Sequence, residues 1–147
     1  MTAVRLAGAI ALPHGSWVRG RGLRSPLSDG PAPEFGLYLG SARLRRRHEG
    51  APAWPHAWLD WSDFLLPRDR DEAIARIGEL HERAKAGLAV EVACGGGVGR
   101  TGTVVASLAV RAGLAQADAV GWTRAHYHRR AVETPWQRGW VARFPGA

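Results

Sequence analysis

The sequence holds one cysteine, Cys94, among 147 residues. No intramolecular disulfide can form from it, and a multi-cysteine metal site is excluded. Lysine is almost absent too: Lys85 is the only one, so arginine carries nearly all the positive charge behind a formal net charge of +7. No apolar run approaches the ~18 residues that a membrane span needs. Repeats and low-complexity tracts are also missing. With 46% hydrophobic and 22% charged residues, the chain has the composition of a folded globular protein. The cation excess suits anionic ligands such as phosphates, phospholipids or nucleic acid, and a solvated surface accounts for it as well. At the start, only Arg5 precedes the short apolar stretch Leu6–Leu12, and Pro13-His14-Gly15 reads as a turn. That is too little for a secretory leader, so the stretch is read as an edge strand. A cytoplasmic location is expected.

Strand-like pieces fall at Val4–Leu12, Ser16–Arg19 and Phe35–Leu39, with Gly/Pro/Ser segments between them. Arg43–His48 reads as one or two helical turns, and Trp54–Trp61 as a further strand. Asp69–Ala86 has helical periodicity: Ile74, Ile77, Leu80, His81 and Ala84 share a face, acids gather in the first turn, and Gly87 closes the end. Leu88–Ala93 has the size of a buried strand, and Thr101–Ala112 that of a buried helix. Helices are expected at Gln116–Arg129 and Pro135–Phe144. Strands threaded between helices predict an α/β fold with a central, mainly parallel sheet flanked by helices. Ligands in such folds sit beyond the carboxyl end of a strand, here at the junction after Ala93.

Cys94-Gly95-Gly96-Gly97-Val98-Gly99-Arg100-Thr101 occupies that junction. Glycines let successive backbone N–H groups converge on one concavity, and the following helix adds its free N–H groups. Gly95, Gly96, Gly97, Val98 and Gly99 are therefore the expected phosphate cradle. Arg100 would close it with a planar bidentate fork, a part lysine fills poorly. Cys94 lies at the floor of this positive bowl, where a thiol is expected to ionise. A thiolate beneath a cradled phosphoryl group is placed for in-line attack on phosphorus. Thr101 would donate its hydroxyl to the sulfur when it leaves.

Other glycine-rich loops compete for the same residues. A nucleotide P-loop requires lysine before the hydroxyl residue, whereas Arg100 precedes Thr101 here. Gly97-Val98-Gly99-Arg100-Thr101-Gly102 is a literal dinucleotide G-x-G-x-x-G. That reading needs a second strand ending in an acid about 20 residues later, and the segment from Ala115 to Arg130 reads as helix instead. An inert glycine turn leaves Arg100 without a role.

The segment resembles the C-x5-R-[ST] signature of the protein-tyrosine phosphatase superfamily, in its small dual-specificity-like branch. Gly36-Leu37-Tyr38-Leu39-Gly40-Ser41, Trp61-Ser62-Asp63-Phe64 and Val132-Glu133-Thr134-Pro135-Trp136-Gln137 resemble the family's entering strand, its mobile acid loop and its late loop, in the same order. The resemblance covers roughly residues 35–144 and implies one phosphatase domain over 1–147. It further implies Asp63 as general acid and base, with Asp60 as the rival carboxylate. Trp61 becomes a hinge or packing residue, and Gln137 the amide that positions water. The chain departs from the family pattern at Ala93, Ser62 and Glu133, where a histidine, a proline and a glutamine are usual.

The expected activity is metal-free, cofactor-free hydrolysis of a phosphate monoester through a cysteinyl-phosphate. Phosphotyrosine in a protein is the first substrate class; phosphoserine or phosphothreonine, a phosphoinositide and a small phosphate ester stay open. The loop is expected to hold a phosphate or sulfate ion. A non-catalytic pseudophosphatase and a rhodanese- or arsenate-reductase-like enzyme remain alternatives. No membrane partner is expected. Arg43, Arg45, Arg46 and Arg47 form a basic run that is either a solvated face or a docking patch for an acidic phosphopeptide or RNA. Lacking interleaved aromatics, it does not predict nucleic-acid binding. His126 and His128 read as ordinary histidines, and Glu91, charged within a buried strand, calls for an arginine or histidine partner.

Overall fold

Val90, Val92 and Cys94 alternate with Glu91 and Ala93 along one strand, and such sets face opposite sides of a sheet. The computed structural model, which describes residues 5–146, is layered on this alternation. Its strands are β1 (Ile10–Ala11), β2 (Trp17–Gly22), β3 (Phe35–Gly40), β4 (His56–Asp60) and β5 (Val90–Cys94). Its helices are α1 (Ala42–His48), α2 (Arg70–Lys85), α3 (Gly99–Arg111), α4 (Gln116–His126) and α5 (Pro135–Ala142). The sheet order is β1-β2-β5-β3-β4. β5 pairs in parallel with β2 and β3, β3 in parallel with β4, and only the edge strand β1 runs antiparallel. The expected α/β architecture, a mainly parallel sheet flanked by helices, is the one observed.

Leu37, Leu39, Leu59, Val90, Val92 and Cys94 join Ile77, Leu80, Val104, Val105, Leu108 and Val141 in one core. Helix α3 is buried along nearly its whole length. Its polar side chains are satisfied inside the protein: Thr103 Oγ1 donates to Gly99 O, Ser107 Oγ to Thr103 O, and Trp140 Nε1 to Ser107 Oγ. Asp69 caps α2 by accepting from Glu72 N at 3.0 Å, and Gly87 leaves the helix at a φ of 89°.

The opposite face of the sheet is polar. Glu91, fully buried, accepts from Arg19 Nε and Nη2 at 3.0 and 2.6 Å, from Arg21 Nε and Nη2 at 2.8 and 2.9 Å, and from Tyr38 Oη at 2.7 Å. A lone buried carboxylate would cost several kcal/mol, so this set of donors is what allows it to remain charged. Burial pushes the Glu91 carboxyl up, but the donors from Arg21, Tyr38 and Arg19 prevail and hold it below the usual range. The network ties β2 and β3 to β5 just before the strand reaches Cys94. α1 lies on this face, where Leu44 approaches Gly40.

Most element ends shift by a residue or two from the sequence expectations, and three of the differences are instructive. The strand expected over Val4–Leu12 shrinks to Ile10–Ala11; Leu6 and Leu12 are apolar because they are buried, and Val4 lies outside the described residues. β2 runs on to Gly22, where close approach replaces side-chain alternation. A Cβ on Gly20 would sit 2.5 Å from the Tyr127 ring, and one on Gly22 2.8 Å from Gly96 O. α4 stops at His126 instead of Arg129, and Tyr127 becomes its C-cap.

Candidate active site

Cys94 ends β5 and Gly99 begins α3, so residues 95–98 form the whole connection. Gly97 takes a φ of 77°, and a Cβ there would lie 2.5 Å from the Arg21 carbonyl carbon and from Gly22 N. Both constraints exclude a side chain. Gly97 N donates to Cys94 Sγ at 3.2 Å, which turns the sulfur toward the loop. The outside of the loop is pinned by Leu23 N on Cys94 O at 2.8 Å and Arg24 N on Gly95 O at 3.1 Å. Val98, the N-cap of α3, supplies no side-chain cap. The first N–H groups of that helix, with its positive end, are therefore open to an anion.

Arg100 is only 3% exposed. Its Nη1 donates to Trp61 O at 3.0 Å and Leu39 O at 3.3 Å, which fixes the plane of the guanidinium against the carboxyl ends of β3 and β4. Its Nε is buried without a hydrogen-bond partner and lies 3.5 Å from Asp63 Oδ1. Thr101 Oγ1, likewise buried, has no hydrogen-bond partner. Both atoms lie in the first turn of α3, directly after the loop, and an oxyanion could supply the acceptor each lacks.

The two rival carboxylates separate clearly. Asp60 faces Arg68, with Oδ2 3.5 Å from Nη1, whereas Asp63 faces Arg100. Asp63 Oδ1 also accepts from Phe64 N at 3.0 Å, in a turn where Phe64 has a φ of 62°. Trp61 is fully buried and donates Nε1 to Leu65 O at 2.7 Å. Trp136 Nε1 donates to Phe64 O, and Gln137 Nε2 to Leu65 O at 3.4 Å. The segment carrying Asp63 is thus fastened to the start of α5. Gln137 Oε1 meanwhile accepts from Glu133 N at 2.8 Å and Thr134 N at 3.3 Å, completing a capping box with Thr134.

Two residues beside the loop, Tyr127 and Arg124, carried no readable signal. Tyr127 Oη donates to Gly97 O across 30 positions of sequence. Burial first, and then the charge of Cys94, pushes its phenol well above the usual value. Glu133 lies against Gly99, close enough that a Cβ there would meet its Oε1. The preceding Val132, a β-branched residue at a φ of 65°, is held in that strained turn by Arg124, whose Nε and Nη2 donate to Ala131 O and Val132 O at 2.9 Å each. His126 Nδ1 pairs with Trp122 O and His128 Nδ1 accepts from Arg130 N, so both histidines serve local structure. A cleft of about 620 Å³ lies at the other end of β5 beside His81, Arg111 and Trp17. Among the described residues no helix is long and apolar enough to cross a membrane.

Comparison with known proteins places these features in a family. A family model described as the Swiss Army Knife protein DSP-PTPase phosphatase domain matches residues 67–141, which include Cys94, Arg100 and Gln137. No curated protein matches the chain. Among solved structures, kinase-associated phosphatase with serine at its catalytic cysteine shares the fold at a TM-score of 0.73 and 13% identity, over 98% of this chain and 95% of that one. Tk-PTP in its active form aligns at a TM-score of 0.61 and 23% identity, over 74% and 75% of the two chains. PTPMT1 aligns at 0.59 and 14% identity, over 92% of each. The family match spans half of the chain and the fold agrees with it, so the protein belongs to the DSP-PTPase phosphatase-domain family of the Swiss Army Knife proteins.

Proposed function

We propose that residues 1–147 act as one cysteine-dependent phosphate monoester hydrolase working through a cysteinyl-phosphate. The observation that carries this reading is a sulfur that accepts Gly97 N–H at the end of β5, followed by a buried Arg100 guanidinium at the start of α3 whose Nε has no hydrogen-bond partner and faces Asp63 at 3.5 Å. Phosphate oxygens held by the loop amides and the guanidinium bring phosphorus over Cys94 Sγ. The thiolate attacks, the S–P bond forms, and the P–O bond to the leaving group breaks as Asp63 delivers its proton to the departing oxygen. Asp63, now a carboxylate, takes a proton from water, whose oxygen attacks phosphorus. The S–P bond breaks, returning the thiolate and inorganic phosphate. General acid catalysis of this kind contributes about 10²–10⁴-fold. Thr101 Oγ1, free of other bonds, would stabilise the leaving thiolate. Gln137 would position the water once the Leu65 carbonyl releases its amide nitrogen.

Phosphotyrosine is supported as a substrate class by the half-exposed rings of Phe64 and Trp136, which a hydrogen bond from Trp136 Nε1 to the Phe64 main-chain carbonyl keeps close together next to Asp63, suited to flank an aryl group. Steady-state hydrolysis of para-nitrophenyl phosphate tests the mechanism. Turnover should vanish in Cys94→Ser and be indifferent to EDTA; activity that survives the serine substitution defeats the proposal. Phosphate binding without turnover at any pH would mark a pseudophosphatase.

A further inference from the structure

β5 enters the phosphate loop at Cys94 and α3 leaves it at Gly99, and the far ends of both elements meet at a second cleft. Val90 of β5 and Arg111 and Ala112 at the end of α3 line a cavity of about 620 Å³, together with Leu6, Trp17 and Ala84. That is the size of a small-molecule site, since such clefts run from about 300 to 1,000 Å³. Its charge has one sign. Arg5, Lys85 and Arg111 line it, and among the described residues no carboxylate does. Glu82, the acid that touches these cations from outside, is divided between Lys85 at 2.9 Å and Arg111 at 3.2 Å. Arg5 has no acidic partner among the described residues, and its Cζ lies 3.9 Å from the centroid of the Trp17 ring. Arg111 Nε also donates at 3.3 Å to Nδ1 of His81, a cleft residue only 2% exposed. An arginine can only donate, so Nδ1 is the acceptor and the ring proton sits on Nε2. Burial first, then the charges of Arg111 and Lys85, hold the His81 pKa below the usual value. The wall therefore carries a neutral imidazole whose second nitrogen is a donor, beside an excess of positive charge.

We infer that this cleft binds a small amphipathic anion, a carboxylate or phosphate carried on a short alkyl chain. The head group follows from the charge: Arg5, Lys85 and Arg111 outnumber Glu82, and an anion at the mouth restores the balance. The body follows from the walls. Leu6, Ala84, Leu88, Val90 and Ala112 are aliphatic, whereas the one indole, Trp17, already has the Arg5 guanidinium stacked on it. A planar base thus lacks that platform, while methylene groups laid against aliphatic walls gain by leaving water. Val90 and Cys94 are about 13 Å apart along the strand, so this site is separate from the catalytic loop and does not rest on the phosphatase reading.

Titration of the full chain with octanoate, octan-1-ol and acetate, followed by amide NMR shifts, tests the inference. Octanoate should give saturable shifts at Trp17, Leu88 and Ala112, with an affinity about tenfold or more above that of octan-1-ol. Acetate, which lacks the chain, should give none. Arg5→Ala with Lys85→Ala, both exposed positions, should bring the octanoate to octan-1-ol ratio near one. Ala112→Leu fills the cleft and should weaken octanoate about tenfold or more, with the melting temperature and para-nitrophenyl phosphate turnover unchanged. Octyl phosphate, run on the Cys94→Ser protein, tells a phosphate head group from a carboxylate; a gain that depends on Arg5 and Lys85 in either arm supports the site. Several results overturn it: no saturable shift, shifts at Gly95–Gly99 in place of the cleft, equal affinities for octanoate and octan-1-ol, or octanoate binding that survives the substitutions. Preference for adenosine 5′-monophosphate over octanoate overturns the aliphatic assignment. Loss of turnover on para-nitrophenyl phosphate would strike the phosphatase reading alone and leave these binding results standing.

Discussion

Tyr127 Oη donates a hydrogen bond to the carbonyl of Gly97, the residue whose own N–H lies 3.2 Å from Cys94 Sγ. The phenol therefore holds the loop from behind at the point where it touches the Cys94 sulfur. Its raised pKa keeps it a donor throughout the neutral range. Tyr127→Phe preserves the ring and removes the donor, leaving a buried carbonyl unpaired at a cost of about 1–3 kcal/mol. A fall of about tenfold in kcat/KM for para-nitrophenyl phosphate is expected. An unchanged value would show that the loop keeps its shape without the phenol.

The glycines of the loop are not equivalent. Gly97→Ala places a Cβ 2.5 Å from backbone atoms of Arg21 and Gly22 at a φ of 77°, whereas a Cβ on Gly96 meets nothing within 4 Å. Gly97→Ala should lower the unfolding free energy by more than about 1 kcal/mol and reduce turnover severely. Gly96→Ala should be tolerated in both respects. Thermal melts and kcat of the pair decide it; equal effects would contradict the assigned backbone geometry.

Asp63 faces Arg100 and Asp60 faces Arg68, so the two carboxylates should answer differently to substitution. Asp63→Asn is expected to lower kcat about 10²–10⁴-fold on phenyl phosphate, and less on para-nitrophenyl phosphate, whose leaving group needs little protonation. Asp60→Asn should stay near the parent rate. The reverse pattern would transfer the general-acid role to Asp60.

Glu91 links stability to pH. Its folded-state pKa is depressed, so the stabilisation it supplies is fully present above the unfolded carboxyl value and is lost as pH falls through the folded one. Glu91→Gln leaves Arg19 and Arg21 without their counter-charge, at an expected cost of about 3–5 kcal/mol at neutral pH. Urea denaturation should show parent stability declining below about pH 4.5, with a shallower decline in the variant. Parallel curves would remove Glu91 as the linked group.

Much of the candidate site was legible because its signal is local. Cys94, the glycines, Arg100 and Thr101 are contiguous, so the roles proposed for them follow from loop and helix chemistry without tertiary information. The α2 helix and the buried α3 were legible for a similar reason, since periodicity, capping and punctuation are properties of short windows. The apolar stretch Leu6–Leu12 misled because core burial and strand pairing leave the same hydrophobic mark; only Ile10–Ala11 pairs. Glu91 announced that it needed a cation, but register alone chose Arg19 and Arg21.

By itself the amino-acid sequence determined the chemistry available at the end of β5: one sulfur, a run of residues able to turn amides inward, and a guanidinium at the head of a helix. Tertiary structure decided which distant groups meet that loop. It brought Asp63 to Arg100, Tyr127 behind Gly97, Glu133 to one rim and Arg24 to the other. The reason is physical: hydrogen bonding and turn geometry act over a few residues, whereas the order β1-β2-β5-β3-β4 and the packing of α3 join segments through a core that no short window of sequence describes.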